Sequence, residues 1–395
     1  MADQKIYIFA LAASGNGISG SDRIFIEFAR EWSIKHQVII YLWEDGYRMC
    51  KRQALNGRIT YEVVNINSWK FGFLINYLIR IIKGIKIGLT LKINDPQAVL
   101  IYSASEFWMD SIPAFLLKVR YPKIKWVAAW YQTAPNPLRD FIQDFKSMRY
   151  RLSAFVYWII QFSIKPIIGR FSDYILVNNR EEKKAFGALK SSKKILVILG
   201  AVNIEECNKW RKKIRSLPKI YDAVFQGRFH PQKGVLGLLH IWNDLLKIRK
   251  DARLALIGDG PLMNEIKYFI HNNKLDDNIK LFGYLFDGRE KYKVFMQSKI
   301  VVHPSVFDSG GMASMEAMAF GLPAIGFGLP AYKDYYPQGM LKVREGDREG
   351  FSKALLKLLS DNNLYKIYSK QASELMTRRN SWKYRARQTL IELLK

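Results

Sequence analysis

Short apolar runs alternate with longer amphipathic stretches along the chain, and this alternation predicts the secondary structure. Runs rich in Val, Ile and aromatic residues are typical of buried parallel strands, and the amphipathic stretches between them are typical of helices. The predicted strands are residues 5–11, 37–43, 59–64, 98–103, 126–131, 174–179 and 194–199, then 222–227, 253–258, 278–283, 299–305 and 323–328. Repeated βα units predict an α/β protein built from doubly wound parallel sheets.

The two sets of strands indicate two domains. A chain of 395 residues has room for two domains of ordinary size. The charge-dense stretch 205–219 lies between the strand sets, so the boundary is predicted between residues 203 and 204. Residues 1–203 then form one Rossmann-like domain, and the second begins at residue 204.

Composition and charge narrow the class of protein. Apolar residues make up 49% of the chain, which excludes disordered, collagenous and coiled-coil proteins. The excess of 62 Lys and Arg over 35 Asp and Glu gives +27, which suits nucleic acid, an anionic membrane surface or an anionic small molecule. The two cysteines, Cys50 and Cys207, cannot form a disulfide framework, so a reducing cytoplasm is expected. Neither a signal peptide nor a membrane-spanning run is expected.

Two basic, apolar segments contain no acidic residue. In residues 71–91, Arg80, Lys83 and Lys86 share an arc of about 120° on a predicted helix with Asn76 and Thr90. In residues 146–171, five cations surround an aromatic run: Lys146, Arg149, Arg151, Lys165 and Arg170. Each segment fits a helix lying in a bilayer interface, and each also fits a core helix with a solvated edge.

The segment 303–328 has the pattern of an anion site. A predicted strand is followed by Asp308, then by Gly310 and Gly311, then by a helix that carries Glu316. A glycine turn before a helix presents free N–H groups to an anion, and the two carboxylates can accept hydrogen bonds from hydroxyls. The pattern indicates a phosphate flanked by hydroxyls. A glycine turn with a capping side chain is the simpler alternative.

A second loop follows the first strand of the second domain. Residues 226–234 place Arg228 and Lys233 before a helix, and these cations suit the oxygens of a diphosphate. Because parallel strands end at one edge of their sheet, this loop and the glycine turn can line one crevice. The loop at 256–262 is of the same kind. A solvated basic loop is the alternative for either cation alone.

These motifs together resemble the nucleotide-sugar domain of glycosyltransferase family 4, which has the two-domain GT-B architecture. The residues that carry the resemblance are GRFHPQKG (227–234), LIGDGP (256–261), residues 281–305 and DSGGMASMEAMAFGLPAI (308–325). Residues 19–40 resemble the family's first glycine loop and helix, and residues 200–203 its linker. Residues 381–395 resemble the terminal helix that crosses back to the first domain, which limits the second domain to 204–380. The resemblance is dense over 220–395 and weak over 45–175.

The resemblance implies transfer of a sugar from a UDP-sugar or GDP-sugar with retention of configuration, in a cleft between two facing domains. Arg228 and Lys233 would stabilise the diphosphate, and Glu316 would hold the ribose hydroxyls. The sugar and its phosphate would contact Ser309, Gly310, Gly311 and Met312. Gly17 and Gly20 would allow the first domain to approach the donor phosphates. The leaving phosphate would act as the base, so no protein nucleophile is needed. The chain contains no Asp-x-Asp pair, so neither a metal nor another cofactor is expected.

The chain departs from the family pattern at three places. Asp308 replaces the usual glutamate, so its carboxylate would be drawn back by about 1.5 Å. Ser309 and Gly310 replace the usual aromatic residue before the glycine, which implies a wider sugar pocket. The histidine usual after the fifth strand is missing, and Trp130, Tyr131 and Gln132 could line the acceptor site instead or form a packed aromatic pair.

The predicted function is that of a peripheral membrane glycosyltransferase at the cytoplasmic face of the cell membrane, with a lipid-linked or membrane-proximal acceptor. A soluble glycosyltransferase and a sugar-nucleotide epimerase of the same fold are alternatives. A non-catalytic polyanion-binding protein is a third, suggested by charge alone. Nucleic acid is not an expected partner, because no basic cluster is interleaved with aromatics as in a nucleic-acid module.

Overall fold

The chain folds into two compact α/β units. The computed structural model describes residues 4–15, 17–66, 70, 72–136, 148–188, 194–214, 217–377 and 380–395. One unit comprises Met1–Leu199 with Arg385–Lys395, and the other comprises Gly200–Tyr384. Each unit is built on one parallel, doubly wound sheet. The predicted fold class, α/β with two Rossmann-like domains, is confirmed.

The first unit contains a seven-stranded sheet in the order β3-β2-β1-β4-β5-β6-β7. All neighbouring strands are parallel, and β1, third in this order, pairs Ile8 with Ile40 on one side and with Tyr102 on the other. The strands are β1 (Lys5–Phe9), β2 (Gln37–Trp43), β3 (Ile59–Val64), β4 (Val99–Ser103), β5 (Lys125–Trp130), β6 (Tyr174–Val177) and β7 (Ile195–Val197). Its central strands are buried on both faces, as their uninterrupted apolar runs require.

Helices connect these strands and cover both faces of the sheet. They are α1 (Gly20–Trp32), α2 (Glu44–Arg52), α3 (Gly72–Thr90), α4 (Trp108–Arg120), α5 (Met148–Phe171) and α6 (Arg180–Lys183). The steps from β3 to β4, β4 to β5 and β5 to β6 run in one direction, so right-handed crossovers place α3, α4 and α5 on the same face. None of the helices within the described residues is long and apolar enough to cross a membrane.

The second unit has a six-stranded parallel sheet in the order β10-β9-β8-β11-β12-β13. Its strands are β8 (Tyr221–Gln226), β9 (Leu254–Ile257), β10 (Ile279–Gly283), β11 (Ser298–His303), β12 (Ala324–Phe327) and β13 (Met340–Val343). The last strand was not predicted, because MLKV is short and follows a turn-rich stretch. Its pairing with β12, Ile325 opposite Leu341, shows that the sheet rather than the local sequence determines it.

The remaining helices pack around this second sheet or end the chain. They are α7 (Ile204–Ile214), α8 (Val235–Leu246), α9 (Met263–Asn272), α10 (Arg289–Met296), α11 (Met312–Met318), α12 (Tyr332–Tyr335), α13 (Arg348–Ser360), α14 (Asn362–Leu375) and α15 (Trp382–Leu393). Most of α15 packs with the first unit, where Trp32 Nε1 donates to Ala386 O at 2.9 Å and Lys125 Nζ donates to Leu393 O at 2.5 Å.

Helix α3 is oriented differently from the predicted helix with a solvated polar edge. Asn76 and Arg80 are buried, each 3% exposed, and Arg80 donates to Leu11 O at 2.8 Å and Ala13 O at 3.2 Å. The prediction of a solvated edge is therefore wrong for these two residues. Burying a guanidinium is tolerable only where carbonyl or carboxylate oxygens surround it, and the loop after β1 provides two carbonyls.

Apolar side chains lie on the exposed side of α3 instead. Five of them are at least half exposed: Leu74, Ile75, Leu78, Ile82 and Leu89. Lys86 is exposed on the same side, and Lys83 is partly exposed. The inner side of α3 approaches α4 closely, since a Cβ on Gly84 would lie 2.8 Å from Met109 O and one on Gly88 would lie 2.9 Å from Pro113 Cα.

Helix α5 also presents apolar side chains to solvent. Phe155, Val156, Ile159 and Phe162 are exposed, with Phe162 at 69%, and Arg170 is exposed further along. Lys146 lies outside the described residues, as do the side chains of Arg149 and Arg151. Phe107 at the start of α4 links the two helices through ring contacts with Tyr77 and Tyr157, at centroid distances of 6.5 and 5.6 Å.

Candidate active site

Three loops of the second unit meet at the carboxyl edge of its sheet. They follow β9, β8 and β11, which are neighbours in the sheet, and backbone hydrogen bonds join them. Phe229 N donates to Asp259 O at 2.8 Å, and Val306 N donates to Gln232 O at 3.0 Å. The structure thus brings together the predicted segments 226–234, 256–262 and 303–328.

Two glycines make this close packing possible. Gly234 has φ +65°, and a Cβ there would lie 2.0 Å from Pro304 O. Gly258 has φ +155°, and a Cβ there would lie 1.9 Å from Gly227 O. Any side chain would therefore separate the loops and would also strain the backbone. Gly234 and Gly258, which belong to the sequence motifs, therefore allow neighbouring loops to pack closely.

Asp308 lies at the centre of a buried polar cluster. Its side chain is 8% exposed. Oδ2 accepts from Lys233 Nζ at 2.6 Å and lies 3.1 Å from His303 Nε2, while Oδ1 accepts from the backbone N of Gly310 and of Gly311, both at 3.2 Å. Burial alone would raise the pKa of Asp308, but Lys233 and His303 outweigh burial and hold that pKa well below its usual range. Asp308 is therefore an internal anion.

This cluster changes what the predicted residues do in the folded chain. Asp308 was predicted to contact donor hydroxyls, whereas here its carboxylate is directed to Lys233, His303 and the glycine N–H groups. An ammonium has three donors, and the bond to Asp308 uses one of them. Lys233 therefore remains able to bind a phosphate. The donor contacts of Asp308, Gly310 and Gly311 stay predictions.

Arg228 and Lys233 create a positive potential around their loop. Arg228 is exposed after β8, and His230 lies between the two cations in sequence. Burial, with the charges of Arg228 and Lys233, lowers the pKa of His230 to about 4. His230 is therefore neutral near pH 7, and its Nδ1 accepts from Gln232 N at 3.4 Å. The effect of both cations on one imidazole shows that their fields overlap at this edge.

Glu316 belongs to a second polar cluster. Its Oε2 accepts from Lys291 Nζ at 2.7 Å and from Gln226 Nε2 at 2.9 Å. Lys291 is 2% exposed and also pairs with Asp287, one helical turn before it. Burial lowers the pKa of Lys291, but the two carboxylates outweigh burial and the net pKa is raised. Sequence analysis missed Lys291, for which the (i, i+4) spacing from Asp287 was the available signal.

Ser309 and Met312 flank the two glycines. Ser309 is half-buried, and Met312 begins α11. A Cβ on Gly200 would lie 2.3 Å from Met312 Cγ, so Met312 packs against the start of the second unit. The packing of Met312 is observed, while the donor contacts of both residues stay predictions.

Gly17 and Gly20 lie in the first unit, between β1 and α1. Gly20 is the first residue of α1, which is capped by Ser19 and Asp22 in a reciprocal capping box. Gly17 is half-buried in the preceding loop, and Asn16 of the predicted Gly15–Gly17 turn lies outside the described residues. The predicted contact of these glycines with donor phosphates stays a prediction.

The predicted acceptor residues follow β5, also in the first unit. Trp130 is 1% exposed, donates from Nε1 to Thr133 Oγ1 at 2.8 Å and packs edge-on against Phe186. Tyr131 is 5% exposed, and its hydroxyl is hydrogen-bonded to that of Tyr102. Both aromatic side chains are therefore packed inside the first unit, each against a different partner. Gln132 is half-buried, so an acceptor role for it stays a prediction.

The described part of the chain contains no group of three or more His, Cys, Asp or Glu side chains that could hold a metal ion. The two clusters around Asp308 and Glu316 are instead carboxylates neutralised by lysines. Such an arrangement is suited to binding an anion and hydroxyl groups through organic cations and hydrogen bonds. The prediction that no metal is required stays a prediction.

Comparison with known proteins agrees with this geometry. Residues 206–375 match the family model described as glycosyl transferases group 1. The chain is similar to the uncharacterized glycosyltransferase MJ1069 of Methanocaldococcus jannaschii, with 22% identity over 297 residues that cover 72% of each chain. It is also similar to poly(glycerol-phosphate) alpha-glucosyltransferase of Bacillus subtilis, with 23% identity over 39% of this chain and 23% of that one.

A solved structure shows the same fold over the whole length. The crystal structure of Anabaena HepE in complex with UDP and glucose has a TM-score of 0.72 and 13% sequence identity, with 100% of each chain covered. At this identity the likeness establishes the fold alone. Fold and sequence similarity together support a glycosyltransferase with the two Rossmann-like domains of the GT-B class.

Proposed function

We propose that the chain is a retaining, metal-independent glycosyltransferase of family 4 that uses a nucleotide diphosphate sugar. The observation that carries this proposal is the joined loop edge of the second unit. There Lys233 and the exposed Arg228 follow β8, and Glu316 lies on the helix after the glycine turn. Organic cations suit the oxygens of a diphosphate and a carboxylate accepts hydrogen bonds from ribose hydroxyls, and this edge contains both kinds of group.

In the proposed reaction the bond between the sugar C1 and the diphosphate oxygen breaks, and the acceptor oxygen bonds to C1 on the same face. The acceptor hydroxyl gives its proton to the leaving phosphate. Arg228 and Lys233 stabilise the charge that develops on the diphosphate, which is the term that usually contributes most to such catalysis. Uridine is the proposed base, because HepE was solved with UDP and glucose. The relative in Bacillus subtilis, an alpha-glucosyltransferase by name, supports retention.

A thermal-shift series tests the donor assignment. A ligand that binds only the folded chain raises its melting temperature. We expect UDP to give a larger shift than GDP or ADP, without added metal and with EDTA present. Glu316→Ala should reduce the UDP shift measured from its own unliganded melting temperature, which should itself be lower because the buried Lys291 loses a partner. No shift with any nucleoside diphosphate would contradict the donor site, and a shift that needs a divalent cation would contradict metal independence.

We further propose that the acceptor is lipid-linked or membrane-proximal and that the first unit associates peripherally with the cytoplasmic membrane face. The supporting observation is the exposed apolar side of α3 and α5, bordered by Lys86 and Arg170. Exposed apolar side chains concentrated on two helices that both pack against α4 mark an interaction surface. Basic residues beside an apolar face fit an anionic leaflet, to which each cation adds about 1 kcal/mol. The apolar side, rather than the buried Arg80, is thus the proposed contact.

Flotation with phosphatidylglycerol vesicles tests this part. We expect Leu78→Glu with Ile82→Glu to abolish flotation, because both side chains are exposed and face the proposed leaflet. The control is Ile248→Glu, which changes a side chain 73% exposed in the second unit and should leave flotation intact. Equal flotation of all variants would remove the helices from the proposal. If the unsubstituted chain does not float, the soluble glycosyltransferase is favoured.

A further inference from the structure

Lys291 is a buried cation that the proposed chemistry does not use. It lies in the first turn of α10 with 2% exposure, and it forms ion pairs with Asp287 and Glu316. A buried ammonium costs several kcal/mol unless carboxylates compensate it, so the position of Lys291 depends on both partners. Asp287 is one turn away on the same stretch of chain, whereas Glu316 belongs to α11. Lys291 therefore connects α10 to Glu316, whose carboxylate is proposed to bind the ribose hydroxyls.

The contacts of Glu316 define the orientation of its carboxylate. Lys291 Nζ and Gln226 Nε2 both donate to one oxygen, Oε2, at 2.7 and 2.9 Å. The two oxygens of a carboxylate point in different directions, so Oε1 points away from both donors. The side chain is 19% exposed, which places it at the surface of this edge. A glutamate held in this way loses little further rotamer freedom when it binds a ligand.

We propose that Lys291 is a positioning residue that presents Glu316 to the ribose and so makes the chain discriminate ribose from deoxyribose. This inference rests on the proposed function, specifically on the ribose contact of Glu316. Two neighbouring hydroxyls of a ribose are hydrogen-bonded well only by a carboxylate in one orientation. Without Lys291 the carboxylate of Glu316 is free to rotate and to be hydrated. Its hydrogen bonds to the ribose hydroxyls then contribute less binding free energy.

The test compares the Kd of UDP with the Kd of 2′,3′-dideoxy-UDP by calorimetry. The unsubstituted chain is expected to bind UDP at least tenfold more tightly, because a hydrogen bond to a charged group contributes about 1.5–3 kcal/mol. Lys291→Met should bring this ratio close to one, with the Kd of the dideoxy compound nearly unchanged. The matched control is Lys299→Met, which removes an ion pair with Asp222 at 2.8 Å elsewhere in the same unit and should keep the ratio.

A merely structural or charge-neutralising role for Lys291 would weaken both ligands by the same factor, and an unchanged ratio overturns the inference. If Lys291→Met does not fold, the same two Kd values are measured for Asp287→Asn, which removes one charge that anchors Lys291 and leaves Glu316 intact. We then expect the preference for UDP over the dideoxy compound to fall by a smaller factor than in Lys291→Met. A different result would contradict the proposed ribose contact of Glu316. In that case the unsubstituted chain, like Glu316→Ala, would bind UDP and 2′,3′-dideoxy-UDP with equal Kd.

Discussion

The first six strands of the first sheet follow the same order as the six strands of the second, but the two units differ in the partners of the acidic groups at the carboxyl edge. In the second unit, Asp308 and Glu316 are each paired with a lysine, at 2.6 and 2.7 Å. In the first unit, Glu106 accepts from Tyr157 and Gln161, and Asp110 accepts from Ser105 and from the backbone of Ala12. Burial raises the pKa of Glu106, and it raises that of Asp110 to about 8.

The difference shows that one scaffold supports two electrostatic designs. A lysine partner keeps a buried carboxylate ionised, and the resulting edge is suited to anions and hydroxyls. Where no lysine pairs with a buried carboxyl group, burial raises its pKa even though hydroxyl and amide groups donate to it, and the resulting edge is suited to neutral polar contacts and to loop support. The donor chemistry is accordingly proposed for the second unit.

Lys233→Ala should reduce turnover of the nucleotide sugar by about a hundredfold or more. It removes preorganised positive charge from the proposed leaving group, and such losses cost about 10²–10³ in kcat. Arg228→Ala should have a similar effect, since its charge acts on the same loop. Initial rates at saturating donor measure the loss.

The control for this prediction is Lys267→Ala, an exposed lysine of α9. Its rate should match that of the unsubstituted chain. Lys233→Ala also leaves Asp308 without its nearest cation, so the melting temperature must be recorded with the rate. Normal turnover in a folded Lys233→Ala chain would remove this lysine from the site.

Arg80→Met should destabilise the first unit by about 2 kcal/mol. Arg80 donates to Leu11 O and Ala13 O and lies over the ring of Trp43 at 4.9 Å. The substitution leaves buried carbonyls without these donors, a loss of about 1–3 kcal/mol. Urea unfolding followed by circular dichroism measures the change.

Lys86→Met provides the matched comparison on the same helix. Lys86 is exposed, so its replacement should change the free energy of unfolding by no more than about 0.5 kcal/mol. Equal stability of the two variants would show that the buried contacts of Arg80 contribute nothing, and the contrast between the two sides of α3 would then fail.

Sequence patterns predicted the strands well because a buried parallel strand is an uninterrupted apolar run. They also predicted that the loops with Arg228, Lys233, Gly310 and Glu316 belong to one edge, since chain order and parallel pairing decide this. The strand Met340–Val343 was missed because its sheet neighbour, rather than its composition, determines it.

The faces of helices and the partners of charges could not be predicted. Periodicity places Arg80 and the leucines of α3 on different sides but does not say which side meets the sheet. The long-range pairs, Lys233 with Asp308 and Lys291 with Glu316, join residues 75 and 25 positions apart. Only the fold brings these residues together, so neither pair could be predicted from the sequence.

Asp110→Asn should remove a loss of stability at high pH. The folded-state pKa of Asp110, about 8, lies above its usual value of 3.8, so the folded chain holds a proton that the unfolded chain releases. This contribution is full below the unfolded pKa and is lost as pH rises through about 8. Asparagine resembles the protonated acid, so the melting temperature of the variant should fall less between about pH 6 and 9. Parallel pH curves for variant and unsubstituted chain would show that Asp110 is ionised.

His230→Asn should have the smallest effect, and its sign should be opposite. The folded-state pKa of His230, about 4, lies below its usual value of 6.5, so only the unfolded chain takes up a proton between these values. The stability from neutral His230 is therefore full above about pH 6.5 and is lost as pH falls toward 4. Asparagine keeps an acceptor for Gln232 N but does not titrate, so the variant should lose less melting temperature on acidification. The imidazole is only half-buried, and solvent reduces the size of the effect. Equal losses of melting temperature on acidification would show that burial, Arg228 and Lys233 do not lower the pKa of His230.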